Sequence, residues 1–179
     1  MPTSLAPGNF LIASPKVDQN PHFARRVVLI LKHSPEAGTG GVVINTPLPD
    51  QRNASEQHPL VAELEYLQAS AGGLFFQGGP MGQELLVILH RVEHLGLGPP
   101  LLAGVYTDGD LEALRAHVAS LDPPQPVLRF YLGFASWGPG QLEKEVAMGV
   151  WSLCPGSADL VFSAEPEQVW QQARGPMAD

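Results

Sequence analysis

Short apolar runs rich in β-branched residues follow one another along this chain with little but glycine- and proline-bearing turns between them. That pattern constrains the fold more than any single motif, because strands joined directly by turns pair antiparallel, whereas a parallel sheet needs a long crossover between strands. Val27-Val28-Leu29-Ile30-Leu31 is the plainest run and predicts a buried strand over 26–33. Residues 34–40, Ser-Pro-Glu-Ala-Gly-Thr-Gly, read as a turn, and 41–45 returns as the second arm of a hairpin stopped by Pro47. Further strands are predicted over 9–14, 74–77, 85–92, 101–106, 128–135, 150–154 and 160–162.

Helical spacing is rarer. Leu60, Val61, Leu64 and Leu67 predict a helix over 59–69, after a polar loop over 48–57 read as mobile. Thr107, three residues ahead of Asp110, resembles a capping box and opens a helix to about 121. Others are predicted over 141–148 and from Pro166 to Gly175. The expected fold class is α+β: a single compact domain over 1–179, with a strongly curved, barrel-like mixed or antiparallel sheet and flanking helices.

At 179 residues and 44% apolar the chain can bury a core without staples. Its net charge of −8 argues against unaided nucleic-acid binding, which rests on Lys and Arg neutralising phosphates, and Arg25-Arg26 is its only adjacent basic pair. Cys154 is the sole cysteine and reads as a small buried apolar residue in a reducing compartment. Neither a basic start followed by an apolar stretch nor an apolar run long enough for a membrane span is visible, so a cytoplasmic location without membrane contact is expected.

The stretch most suggestive of chemistry is 133–151, where a strand runs through Trp137-Gly138-Pro139-Gly140 into a helix. Such an elbow exposes the first amides of the helix, which can receive an anion. It is also what an ordinary strand-to-helix connector looks like, with Trp137 covering a core edge. His90-Arg91-Val92-Glu93-His94 matches a zinc-protease pattern, but that chemistry needs both histidines on one helix face, and here they end a strand-like run. No metal site or cofactor is expected. His33 could act as an acid or base; Ser136, with no placed base, is a poor nucleophile.

Several segments together resemble the YqgE/AlgH family, UPF0301. They are Leu11-Ile12-Ala13-Ser14-Pro15, the 20–27 segment Asn-Pro-His-Phe-Ala-Arg-Arg-Val, His33 with Gly41-Val42-Val43-Ile44-Asn45, Phe76-Gln77-Gly78-Gly79-Pro80, Leu89-His90, and above all 133–143. Their order and spacing agree along nearly the whole chain. The resemblance implies a barrel-like α+β fold in a bacterial cytoplasmic protein of a family labelled a transcriptional regulator, without a DNA-binding motif or an agreed activity. Two departures stand out: Thr46 replaces the family's usual Arg before Pro47, and Arg25-Arg26-Val27 replaces Arg-Ser-Val.

The function these readings favour is a binding module for a small polar or anionic ligand, a peptide terminus or a protein partner. Strand ends and the helix start would form one cleft. In it Arg26, His33 and Asn45 offer polar groups, Gly79 and Gly140 allow close approach, Trp137 covers the ligand and Gln141 orients it. The alternative is a hydrolase- or transferase-like enzyme using His33 beside the Gly140 helix N-terminus. A third reading keeps a regulatory role but routes it through protein partners rather than DNA.

Overall fold

A computed structural model describes residues 3–48, 75–123 and 125–175. Its eight described strands are β1 (Asn9–Ala13), β2 (Val27–Ser34), β3 (Gly38–Val43), β4 (Phe75–Gln77), β5 (Met81–His90), β6 (Tyr106–Thr107), β7 (Leu128–Trp137) and β8 (Trp151–Pro155). The described helices are α1 (Leu111–Ser120), α2 (Gln141–Ala147), α3 (Ala158–Val161) and α4 (Val169–Arg174). The predicted helix over 59–69 and all of the 48–57 loop but Leu48 lie outside the described residues.

The strands form one sheet in the order β6-β5-β7-β3-β2-β1-β8, with β4 also paired to β7. Every pairing is antiparallel except β4 with β7. β6 and β8 are its two ends and do not pair with each other, so the sheet is open and the expected barrel-like closure is not found. β7 accounts for the sheet's breadth. Its first half pairs with β4 on one side and β5 on the other, and its last residues continue along β3, with Thr39 opposite Trp137.

Both faces of the sheet are covered at β2, which is why Val27 to Ile30 is an unbroken apolar run rather than an alternating one. Val27 and Leu29 point into a core with Phe10, Val42, Ile44, Phe76 and Tyr131, against which α3 and α4 pack Val161 and Val169. Val28 and Ile30 point the other way, toward Leu11, Ala135, Trp137, Trp151 and Leu142 of α2. A third cluster sets Phe75, Phe130 and Leu132 against Leu114 of α1. Arg129, fully buried, donates to the carbonyls of Val161 (3.2 Å) and Ser163 (2.6 Å) and so ties the end of α3 to β7.

Three local expectations fail for identifiable reasons. Residues 160–162 belong to the end of α3 rather than a strand, because the Ser157 hydroxyl accepts the Leu160 N–H and caps a single helical turn. α1 is capped by Asp110, whose carboxylate accepts the Ala113 N–H, and Thr107 is still in β6. The strand expected over 101–106 reduces to the two residues of β6 and an isolated bridge between Leu102 and Val105.

Gly79 is the tightest joint. A Cβ there would stand 2.2 Å from the Phe134 carbonyl carbon, so only glycine lets the chain lie against β7. Gly79→Ala is expected to lower the unfolding free energy by about 2–4 kcal/mol, from overpacking against backbone together with an unfavourable φ. Urea denaturation measures this, and a loss below about 0.5 kcal/mol, the level of an ordinary surface change, would contradict the packing described.

Candidate functional site

Asn45, just past β3, is latched to the segment that enters β2. Its side-chain oxygen accepts the Val27 N–H at 3.0 Å, its amide donates to the Arg25 carbonyl at 3.0 Å, and its own carbonyl accepts from Arg26 Nη1 at 3.1 Å. The latch holds Arg25 in a left-handed conformation, φ 55°, that a long side chain seldom adopts. Beside it opens a cleft of about 330 Å³ lined by Ala24, Arg25, Arg26, Asn45 and the Glu167, Trp170 and Gln171 side of α4 and the turn before it. Trp170 is fixed by donating to the Ala13 carbonyl at 2.9 Å, and the Arg25 guanidinium lies 5.7 Å from its ring centre.

Arg26 is the electrostatic centre of this cleft. It is half-buried, and burial pulls its guanidinium below the ordinary arginine value. A guanidinium carries five N–H donors, and among the described residues Arg26 bonds to one carbonyl and forms no ion pair. A cation partly withdrawn from water and not paired with a carboxylate is costly, and an anion bound directly to it would relieve that cost.

His33 stands elsewhere. Its Nδ1 is 2.7 Å from Thr39 Oγ1 across the hairpin, and its Nε2 is 3.7 Å from Glu143 Oε1 in the first turn of α2. These groups border a hollow of about 170 Å³ lined by Lys32, His33, Ser34, Ala37, Gly38, Thr39 and Ser136.

The elbow itself is turned inward. Trp137 is 4% exposed and packs in the core with Trp151 and Phe23, at ring separations of 5.8 and 6.2 Å. The indole N–H groups of Trp137 and Trp151 both donate to Glu145 Oε2 at 2.9 Å. Gln141 is exposed but engaged: its Oε1 accepts the Gly138 N–H at 3.1 Å and its amide donates to Glu145 at 3.3 Å. Gly140, at φ 78°, makes the left-handed turn that lets α2 begin.

The seven residues anticipated to share one cleft are therefore divided. Arg26 and Asn45 line the first cleft; His33 lines the second hollow, with Trp137, Gly140 and Gln141 nearby but not among its lining residues. Gly79 lines neither, and the neighbour it admits is the backbone of β7. Trp170 and Glu167 complete the first site, and Thr39 and Glu143 the second, without being among those seven. Arg25 stands out in the sequence only as half of the basic pair. Thr39 could have been found by pairing the hairpin arms around the 34–38 turn.

The zinc-like motif resolves differently. His90 is fully buried; its Nδ1 accepts the Val92 N–H at 3.2 Å, so Nε2 carries the proton and donates to the Asp108 carbonyl at 2.6 Å. Burial lowers its pKa and keeps it neutral, and both ring nitrogens are occupied by backbone. Among the described residues no three His, Cys, Asp or Glu side chains are placed to hold a metal ion, and no described helix is long and apolar enough to cross a membrane.

An open, mostly antiparallel α+β sheet with an arginine-lined cleft at one end of a hairpin and a histidine-lined hollow at the other defines the structural class. The AlgH-like family model matches residues 10–178, and the chain belongs to that family, UPF0301. A UPF0301 protein of Myxococcus xanthus is 36% identical over 170 residues, covering 93% of this chain and 87% of its own. One from Streptomyces coelicolor is 35% identical over 182 residues, covering 96% and 88%. Among solved structures, a Corynebacterium diphtheriae protein is similar with TM-score 0.74 at 26% identity, covering 99% of this chain and 91% of that one. The AlgH protein of Pseudomonas aeruginosa gives TM-score 0.64 at 26% identity, covering 93% and 86%.

Glu145 should prove structural. Glu145→Ala leaves two buried indole N–H groups without an acceptor, and is expected to cost about 2–4 kcal/mol and to shift tryptophan emission. Chemical denaturation followed by fluorescence reads both; a loss under about 1 kcal/mol would show that the indoles find other partners.

Proposed function

We propose that the protein is a binding module for a small anionic ligand, a carboxylate or phosphate, seated in the cleft between Arg25-Arg26 and Trp170. The observation that carries this reading is the half-buried Arg26 guanidinium, with no ion pair among the described residues, at the wall of a cleft of about 330 Å³. A planar guanidinium with free parallel N–H groups suits a carboxylate or phosphate held by two bonds. Arg25 adds a second charge at the rim, while Glu167 and Gln171 offer acceptor and donor groups to the rest of the ligand. Asn45 sets the position of both arginines through backbone bonds, which supports a preformed site rather than one assembled on binding.

On this reading a regulatory output would run through the bound ligand or a protein partner. Direct contact with DNA is disfavoured by the net charge of −8.

Thermal unfolding in the presence of inorganic phosphate, succinate and citrate tests the proposal. An anion at about 100 times its Kd adds ~2.7 kcal/mol, roughly 5–10 °C for a chain of this size. Arg26→Gln is expected to abolish the shift, and Arg26→Lys to retain only part of it. The reading fails if no anion stabilises the wild type at millimolar concentration, or if Arg26→Gln responds as the wild type does.

A further inference from the structure

We propose that Thr39, His33 and Glu143 form a nucleophilic site that hydrolyses small acyl esters, separate from the arginine cleft. Two residues paired across the β2–β3 hairpin meet a third from a distant helix here. Thr39 Oγ1 is within hydrogen-bond reach of His33 Nδ1 at 2.7 Å, and the Glu143 carboxylate faces the other ring nitrogen at 3.7 Å. That carboxylate selects the tautomer: a proton on Nε2 is attracted to it, which leaves Nδ1 as acceptor and makes Thr39 the donor. The result is a hydroxyl, a base and an acid that orients the base, the arrangement that activates an otherwise weak alcohol nucleophile.

The surroundings suit that chemistry. Thr39 is only 4% exposed yet lines the hollow, so its hydroxyl is shielded from bulk water while open to a substrate placed there. At about 170 Å³ the hollow has room for a small ester such as an acetyl ester. Lys32 lines it too, its stem lying across Gly40, where a Cβ would come within 3.0 Å of Lys32 Cε.

The reaction proceeds in two balanced steps. Thr39 Oγ1 bonds to the ester carbonyl carbon as its proton passes to His33 Nδ1, and Glu143 stabilises the imidazolium. The carbon–oxygen bond to the alcohol then breaks, and the departing alkoxide takes the proton from Nδ1, leaving acyl-Thr39. Water next gives a proton to Nδ1 and attacks the acyl carbon. Thr39 departs reprotonated, and the carboxylic acid is released. Thr39 and His33 are catalytic residues; Glu143 is a positioning residue.

Two measurements test this on the full chain. With diisopropyl fluorophosphate, Thr39 Oγ1 attacks phosphorus and displaces fluoride, so peptide mass spectrometry is expected to find the adduct on Thr39, and to find none in His33→Gln. With p-nitrophenyl acetate, Thr39→Ala is expected to reduce kcat/KM at least ~100-fold and Thr39→Ser to retain activity. Glu143→Gln is expected to lower kcat about tenfold with KM unchanged. Thr39→Ser also guards against misfolding of the alanine variant. An adduct on Ser136 or no adduct, or hydrolysis by folded Thr39→Ala equal to wild type, would overturn the proposal.

Discussion

The antiparallel register of β2 and β3 is the constraint on which the functional geography depends. Val28 lies opposite Val43 at one end of the hairpin and His33 opposite Thr39 at the other. Strand rise is about 3.3 Å per residue, so the five residues separating Val28 from His33 put the two ends more than ~15 Å apart. Arg26 and Asn45 fall at one end and His33 at the other, and no small ligand can touch both. One polar site therefore becomes two, each completed by a different helix: α4 brings Trp170 to the first and α2 brings Glu143 to the second.

The hairpin holds its register because both of its faces are buried. Slipping by one residue would exchange Val27 and Leu29 with Val28 and Ile30, moving each set into the opposite core. A bulge between Ile30 and Lys32 adjusts the pairing just before the hollow, so Lys32 lies opposite Gly40 and can cross it. β7 pairs with this hairpin through Ala135 to Trp137 and joins it to the β4–β5 half of the sheet, where the residue between those strands, Gly79, lies against the Phe134 backbone.

Much of this was legible in the sequence, and the rest was hidden for physical reasons. Directly successive β-branched runs foretold an antiparallel α+β sheet, and the Gly140 elbow foretold the start of α2. Closure did not follow, because whether the end strands of a curved sheet meet depends on twist and shear rather than on any local pattern. Position 160–162 looked like a strand because Leu-Val-Phe suits either state, and a single Ser157 cap decided for helix. Arg26, His33 and Asn45 were recognisable as polar groups at strand ends. Which ends adjoin is settled by pairing, and the helices that complete each site approach from elsewhere in the chain. A tryptophan beside a glycine-rich turn can cover a ligand or a core edge, and for Trp137 the choice falls to Glu145, eight residues on, which binds its indole and holds it in the core.

The separation of the two polar centres is the central claim, and backbone NMR tests it most directly. Titrating the 15N-labelled protein with inorganic phosphate is expected to move the amides of Arg25, Arg26 and Asn45 and the Trp170 indole, and to leave Thr39, Ser136 and Glu143 in place. Shifts that appear in both groups with the same midpoint, or that centre on Gly140 and Gln141, would contradict the account and restore a single cleft.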